Sequence, residues 1–212
     1  MTKTAGRPPR SEQDILEFRS KIANHALVLY RAEGFGAVSM RRLAKEVGCA
    51  PMTIYAHFEG KTDILRYLWA DVLQEMSGEI QKDLKSVDVP IDRLHRAAKS
   101  FVSYWIEHPD NFRLVFMSAD VARSDVDTFI TDDKTLAHFK MFSDLIQEIS
   151  RNDDTIKVKT DTLISGMIGI VLCINTIADY PWSSSATMVD SLLASVVEKG
   201  TRPSEHPNDK TK

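Results

Sequence analysis

Residues 39–58 of this 212-residue chain read SMRRLAKEVGCAPMTIYAHF, and this stretch decides the fold. Ser39 can accept a hydrogen bond at the start of a short helix, and Gly48 can end that helix in a left-handed conformation. Pro51 then stands at the favoured first position of a second helix, which is predicted to extend to Phe58. The stretch therefore predicts two short helices joined by a tight turn, the helix-turn-helix motif.

The side chains of this stretch divide into an inner and an outer set. Ala44 is small where the two helices must approach closely, and Ile54 is expected to share a core with Leu43 and Val47. The second helix then directs its other side chains outward: Pro51, Met52, Thr53, Tyr55 and His57. This mixture can contact thymine methyl groups, hydrogen-bond base edges and reach phosphates. Tyr55 could instead be a core aromatic, but the inward position of Ile54 favours an outward one.

Apolar residues recur at helical spacing along most of the chain, and no alternating strand pattern interrupts them. A first helix is predicted to begin after Ser11, in a capping box with Asp14, and to end at Gly34. Its apolar stripe is expected to contain Ile15, Phe18, Ile22, Ala26 and Leu29. Further helices are predicted at about 62–84, 91–107, 109–117, 126–151, 155–179 and 184–199. The fold class is therefore all-α, with an N-terminal three-helix helix-turn-helix domain followed by a larger helical domain.

Length, composition and charge indicate a two-part chain. We expect a basic flexible arm at 1–10, a helix-turn-helix domain at 11–60, a helical domain at 61–199 and a flexible tail at 200–212. The first 61 residues hold ten Lys and Arg against six Asp and Glu, a net charge of +4, so the remainder carries −7. This asymmetry suggests that only the N-terminal part contacts a polyanion. A solvated charge bias without function is the alternative.

Several classes of function are disfavoured by what the sequence lacks. Cys49 and Cys173 have no partner spacing for a disulfide or zinc site, and His95, His108 and His138 have no metal-ligand spacing. No metal, cofactor or catalytic residue is therefore predicted, and no enzyme. No stretch reaches about 18 apolar residues, so 163–174 is interpreted as a buried helix rather than a membrane span. With no signal peptide recognised, a cytoplasmic protein without membrane contact is expected.

The run from Gly34 to Leu65 resembles the N-terminal domain of the tetracycline-repressor-like (TetR/AcrR) family of bacterial regulators. The matching features are the Gly34-Phe35 pair, the Ser39 cap, Leu43-Ala44, Gly48, Thr53-Ile54-Tyr55, His57-Phe58, and Lys61 before Leu65. The resemblance implies a sequence-specific DNA-binding transcriptional regulator, a repressor released from its operator by a small-molecule effector. Cys49 stands where the family more commonly has valine, and it is expected to be a core residue.

The resemblance also implies roles for individual side chains. Those expected to anchor phosphates are Thr53, Tyr55 and Lys61. Those expected to lie toward the major groove are Arg41, Pro51, Met52 and His57, and Ser39 completes this surface. Taken on the sequence alone, Arg41 and Lys61 could each be an ordinary solvated charge.

The basic arm offers a further hypothesis. Prolines keep residues 6–10, GRPPR, extended, and Arg7 and Arg10 could enter a narrow minor groove. A disordered tail with general attraction to phosphate is the alternative.

The C-terminal helices are expected to form a homodimer, because one recognition helix reads only a few base pairs of an inverted repeat. Residues 163–174 are apolar around nearly the whole circumference, and small side chains recur every fourth residue. The family places its interface on this helix pair, which implies the contact residues Ser165, Gly169, Ile170, Cys173, Ile177, Leu192 and Val196. Packing within one subunit is the alternative.

The middle helices are rich in aromatic residues, and family analogy places an effector cavity among them. The predicted lining is Trp69, Phe101, Tyr104, Trp105, Phe116 and Phe142. The expected partners are thus double-stranded DNA with an inverted-repeat operator, a second copy of the chain, and an unknown small-molecule effector. Two competing interpretations are a helical-bundle enzyme or carrier, and a scaffold that binds protein through its basic head.

Overall fold

The computed structural model describes residues 11–117, 133–150 and 154–197. The chain divides into two compact units, the first comprising residues 11–73 and 113–117 of the described part and the second comprising residues 74–112, 133–150 and 154–197. The predicted arm at 1–10 and tail at 200–212, and the predicted helix start at residue 126, lie outside these ranges. The first unit extends along the chain to Leu73, beyond the domain border predicted at residue 60. That border stays a prediction.

The first unit begins with helix α1, Glu12–Glu33, followed by a 3₁₀ turn at Phe35–Ala37. Helix α2 covers Met40–Val47 and helix α3 covers Pro51–Tyr55. Helix α4, Lys61–Leu84, contributes residues to both units. The predicted capping box of α1 is confirmed, because the Ser11 hydroxyl accepts from the Asp14 amide and the Asp14 carboxylate accepts from the Ser11 amide.

The second unit is built around helix α5, Pro90–Glu107, which packs against three other helices. These are α7, Asp133–Ile149; α8, Ile156–Thr176; and α9, Ser185–Val197. Helix α6, Pro109–Phe116, contributes residues to both units. No strand occurs in the ranges that the structure describes, and the all-α prediction is confirmed.

Two details of the predicted helices are wrong. Helix α3 ends at Tyr55 rather than Phe58, because the amides of His57 and Phe58 both donate to the Ile54 carbonyl and close a turn. The apolar stripe of α1 also begins later than expected. Ile15 is 38% exposed and Phe18 is half-buried, so the continuous buried stripe starts at Ile22.

Helix α8 is more apolar than the sequence analysis allowed. Its 21 residues contain an 18-residue window with a mean hydropathy of 1.4, which is sufficient in length and composition to cross a membrane. The expectation that no stretch reaches this length is therefore wrong. The helix packs against α5, α7 and α9, and 28% of the apolar window is buried in the single chain.

Candidate nucleic-acid interface

Helix α2 is bounded at both ends by the residues that the sequence analysis singled out. The Ser39 hydroxyl accepts from the Arg42 amide at 3.3 Å, which satisfies one free amide of the first turn. Gly48 adopts φ +80°, and its amide and that of Cys49 both donate to the Ala44 carbonyl. A side chain at Gly48 would be strained in this conformation. The turn between α2 and α3 is therefore fixed by local geometry.

Helix α3 presents an exposed outer side and a fully buried inner side. Ile54 is completely buried and Phe58 is 1% exposed, whereas Met52 is 76% exposed and Tyr55 is 51% exposed. Pro51 is exposed at the first helical position. A five-residue helix has little stability of its own, so the buried pair must hold it in place.

Arg19 of helix α1 braces α3 from behind. Its guanidinium donates to the His57 carbonyl and lies over the Phe58 ring, 4.2 Å from the centroid. The same group lies 5.3 Å from the Tyr67 ring centroid, and the Tyr67 hydroxyl shares a 2.9 Å hydrogen bond with Ser20. One side chain thus satisfies the carbonyl after α3 and stacks on its anchoring aromatic.

Lys21, on the same helix, performs the equivalent task for α2. Its ammonium group donates to the Val47 carbonyl at 3.3 Å, near the negative end of the helix dipole. Neither of these roles, for Arg19 or for Lys21, was predicted from the sequence. A signal was available, because Lys21 directly precedes the first fully buried residue of α1, Ile22, and Arg19 stands three positions before it.

His57 and Cys49 differ somewhat from their predicted environments. His57 is half-buried with its ring 5.0 Å from the Phe18 ring, so part of this side chain belongs to the inner face. Its place in the major groove stays a prediction. Cys49, expected in the core, is half-buried.

The basic residues around α3 differ in whether an acidic side chain neutralises their charge. Arg42 forms a two-pronged ion pair with Glu33, at 2.5 and 2.8 Å, and this contact lowers the pKa of the Glu33 carboxyl. Arg41 is exposed and forms no ion pair within the described ranges. Lys61 is half-buried with its ammonium 4.4 Å from the Phe35 ring centroid. Arg41 and Lys61 thus remain available to phosphates, and Thr53 on α3 is half-buried.

The aromatic residues expected to line an effector cavity form a packed core instead. In the second unit Phe101, Tyr104, Trp105 and Phe142 are at most 1% exposed, and their rings meet edge to face at 5.0–6.0 Å. We call these four residues the aromatic core. Such contacts fill space that a cavity would need.

Trp69 and Phe116, the other two predicted lining residues, lie in the first unit. Trp69 is buried and its indole N–H donates to the Leu114 carbonyl at 2.9 Å, whereas Phe116 is half-buried.

A groove in the second unit has a volume of about 870 Å³ and is lined mostly by polar and charged residues. Tyr104 is the one residue of the predicted set that borders it. Charged residues of both signs make up much of the rest: Glu79, Asp83, Asp92, Arg96, Lys99 and Glu107. The expectation of an aromatic-lined cavity is corrected accordingly.

The predicted dimer residues separate into two groups. Ser165, Gly169, Cys173, Ile177 and Leu192 are exposed or half-buried in the single chain. Ile170 and Val196 are 8% and 3% exposed, so they belong to the core of their own subunit, and their assignment to the interface is corrected. Gly169 has open space around it, whereas a side chain at Gly166 would come within 2.6 Å of Leu192.

Comparisons with known proteins agree with this arrangement. Residues 22–68 match the family model described as bacterial regulatory proteins, tetR family. The HTH-type transcriptional regulator SAB2452 of Staphylococcus aureus (strain bovine RF122 / ET3-1) is 25% identical over 173 residues, covering 73% of this chain and 80% of the relative.

Solved structures of low identity share the fold. A tetR family transcription regulator from Shewanella sp. PV-4 has a TM-score of 0.64 at 20% identity, covering 85% of this chain and 96% of that one. The transcriptional regulator FadR of Bacillus subtilis, solved in complex with stearoyl-CoA, has a TM-score of 0.65 at 15% identity, with coverages of 84% and 97%. With its exposed α3 braced on α1, the region at residues 22–68 is a helix-turn-helix domain of the tetR type, and the chain is a DNA-binding transcriptional regulator.

Proposed function

We propose that this regulator is a repressor that binds an inverted-repeat operator as a homodimer and leaves it when a small molecule binds. The observation that carries the proposal is the short helix α3, exposed at Met52 and Tyr55 and rigidly supported at Ile54 and Phe58. Side chains that read DNA must be accessible and also held at fixed positions. Helix α3 meets both requirements.

The side chains around α3 suit two kinds of contact. Tyr55, Thr53 and Lys61 offer hydroxyl and ammonium donors to phosphate oxygens, which fixes the position of the protein on the duplex. Pro51 and Met52 are apolar and project from the first turn of α3, where they suit thymine methyl groups. Arg41, exposed on α2, can donate two hydrogen bonds to a guanine edge or bind phosphate. Arg7 and Arg10 are proposed to follow the adjacent minor groove.

Dimerisation is proposed through α8 and α9, because one face of α8 is uncovered in the single chain. Leu172 on α8 is 38% exposed, and Ile177, directly after the end of the helix, is 51% exposed. Gly169 is half-buried and has open space around it. An exposed apolar face of this kind is typical of an interface between subunits. A Gly169→Glu variant should dissociate in sedimentation velocity while keeping its helical content, whereas an unchanged dimer would contradict this interface.

Effector release requires the small molecule to bind the DNA-incompetent state more tightly than the DNA-bound state. Helix α4 contributes residues to both units, so it is the element through which such a preference would reach the DNA-binding surface. The related fold of FadR was solved with stearoyl-CoA, which illustrates that this architecture accommodates a ligand. We infer that the protein acts in the cytoplasm, where its DNA target is found, and has no enzymatic role.

A gel-shift titration against the DNA upstream of the protein's own gene tests the proposal. Binding should depend on sequence and fall steeply with salt, because phosphate contacts release counterions. Tyr55→Ala and Lys61→Met should weaken binding to every sequence, and the second should reduce the salt slope by about 1. Met52→Ala should change sequence preference instead.

The two competing interpretations make different predictions in the same experiment. A helical-bundle enzyme or carrier would bind DNA weakly with no sequence preference, and a protein-binding scaffold would behave in the same way. Weak DNA binding without sequence preference would contradict the proposed repressor function. Operator affinity that stays constant across a library of candidate small molecules would refute effector release alone.

A further inference from the structure

Three potential metal-binding side chains meet in the second unit, outside the DNA-binding surface. Glu75 and Glu79 stand one turn apart on helix α4, so their carboxylates lie on the same face. His108 follows the last residue of α5. One ligand atom from each of the three side chains lies within 4.8 Å of the others. Spacing along the chain could not reveal this group, because His108 lies 29 positions after Glu79.

The charges in this group are not balanced by protein side chains. Like charges four residues apart destabilise a helix. Across residues 11–117, 133–150 and 154–197, neither Glu75 nor Glu79 forms an ion pair with a lysine or arginine. Both carboxylates are exposed, and the half-buried His108 is the basic group that the fold brings to them. A bound cation would remove the repulsion between the two carboxylates.

The backbone and the neighbouring aromatic hold His108 in place. Its amide donates to the Tyr104 carbonyl at 2.9 Å, and its own carbonyl accepts from the Phe112 amide at 3.1 Å. The imidazole packs against the Tyr104 ring with the centroids 4.6 Å apart. The imidazole is therefore positioned before any ligand arrives.

Tyr104 also orients one of the carboxylates. Its buried hydroxyl donates to Glu75 at 3.3 Å and accepts from the Asn111 amide group at 3.2 Å. Outer groups that hydrogen-bond a ligating carboxylate in this way fix its direction and strengthen metal binding. The arrangement thus contains three candidate ligands and a supporting residue behind them.

We propose that Glu75, Glu79 and His108 bind one divalent transition-metal ion, with Zn²⁺ as the best-suited ion. Zinc holds nitrogen and oxygen ligands at about 2.1 Å, so two ligands of one ion lie at most about 4.2 Å apart. Metal binding would require side-chain rotations that bring the three ligand atoms from their present separation, within 4.8 Å, into that range. One imidazole with two carboxylates favours Zn²⁺ over Mg²⁺, which prefers oxygen ligands alone. Water would complete the coordination, because both glutamates are exposed.

Calorimetric titration of Zn²⁺ into the chelator-treated full-length protein tests the site. One ion should bind per chain, and Glu79→Gln and His108→Gln should each weaken the affinity at least tenfold. Glu107→Gln and His95→Gln are the matched controls, since each removes a neighbouring acid or imidazole that is outside the cluster. Both controls should bind Zn²⁺ as the unchanged protein does. Circular dichroism checks that each variant is folded.

A thermal melt supplies a second readout. A ligand that binds only the folded state raises the melting temperature, so Zn²⁺ should stabilise the protein and the double variant E75Q/E79Q should lose that gain. Mg²⁺ at the same concentration should give little shift. The proposal is overturned if Zn²⁺ fails to bind, if His108→Gln binds with unchanged affinity, or if Mg²⁺ binds as tightly as Zn²⁺. Because no DNA is present, these outcomes are independent of the proposed repressor function.

Discussion

The helix-turn-helix and the aromatic core are stabilised in different ways. In the first, side chains of α1 donate to the carbonyls at the ends of two short helices, as Arg19 does to His57 and Lys21 to Val47. In the second, Phe101, Trp105 and Phe142 fill the interior with ring contacts and need few polar partners. The first arrangement fixes the direction of an exposed surface, whereas the second buries large apolar side chains inside its unit.

This difference predicts separate consequences of substitution. Loss of a ring from the aromatic core should lower stability in proportion to the apolar volume removed. Loss of a brace should lower DNA affinity more than it lowers stability, because the buried residues Ile54 and Phe58 still anchor α3. Four substitutions test this contrast, in decreasing order of expected effect.

Trp105→Ala should have the largest effect. Trp105 is fully buried, and removing its ring should lower the free energy of unfolding by about 3–5 kcal/mol. Urea denaturation followed by circular dichroism measures this value. Leu136→Ala is the control, because Leu136 is 47% exposed on α7 and should change stability little. Equal effects of the two substitutions would show that the aromatic core is not the stabilising element.

Arg19→Met should lower the free energy of unfolding by about 2 kcal/mol, through the lost hydrogen bond and the lost cation–ring contacts. Operator affinity should fall further than this loss of stability accounts for, since the turn after α3 is no longer held. Gel shift and urea denaturation of the same preparation separate the two effects. Arg19→Lys should recover part of the affinity by keeping the cation above Phe58. Unchanged operator affinity in Arg19→Met would exclude the brace.

Gly48→Ala should cost about 1–2 kcal/mol, because a side chain is strained at φ +80°. Gly78→Ala is the comparison variant, with an effect of opposite sign expected. Gly78 is inside helix α4 with open space around it, so alanine should raise the free energy of unfolding by about 0.5–1 kcal/mol. Thermal melts of both variants show whether each substitution raises or lowers the melting temperature. Two changes of the same sign would show that backbone conformation does not control this turn.

Glu33→Gln should give the smallest effect, confined to acidic pH. The Arg42 hydrogen bond lowers the pKa of Glu33 below its ordinary 4.5, so the pair stabilises the protein above that value. This stabilisation is lost as the pH falls through the lowered pKa. The melting temperature of the variant should therefore fall less than that of the unchanged protein between about pH 5 and 3. Identical pH profiles would show that this exposed pair contributes nothing.

Local rules made the helix-turn-helix predictable. Ser39, Gly48 and Pro51 each act within a few residues of their own position, and each occupies the predicted place in the structure. The assignment of an inward Ile54 beside an outward Tyr55 needed only helical periodicity and is confirmed by their exposure.

Features that depend on contacts between distant parts of the chain could not be predicted from the sequence. Whether aromatic rings line a cavity or pack together depends on which helices meet, and this information is absent from the spacing of Phe101 and Phe142. The contact of Arg19 with His57 joins residues 38 positions apart. Likewise, His108 was considered without the glutamates that the fold brings to it.

The five residues of α3 include one that anchors the helix in the core and others that face outward, and this separation has an evolutionary consequence. Ile54 anchors the helix inward, and the Arg19 brace contacts the backbone carbonyl of His57 rather than a variable side chain. Met52, which is 76% exposed, therefore contributes little to folding and can be exchanged at small structural cost. A duplicated copy of the gene could drift toward a new operator by changing this position, while the proposed phosphate-binding Tyr55 and the scaffold that aims α3 are inherited intact.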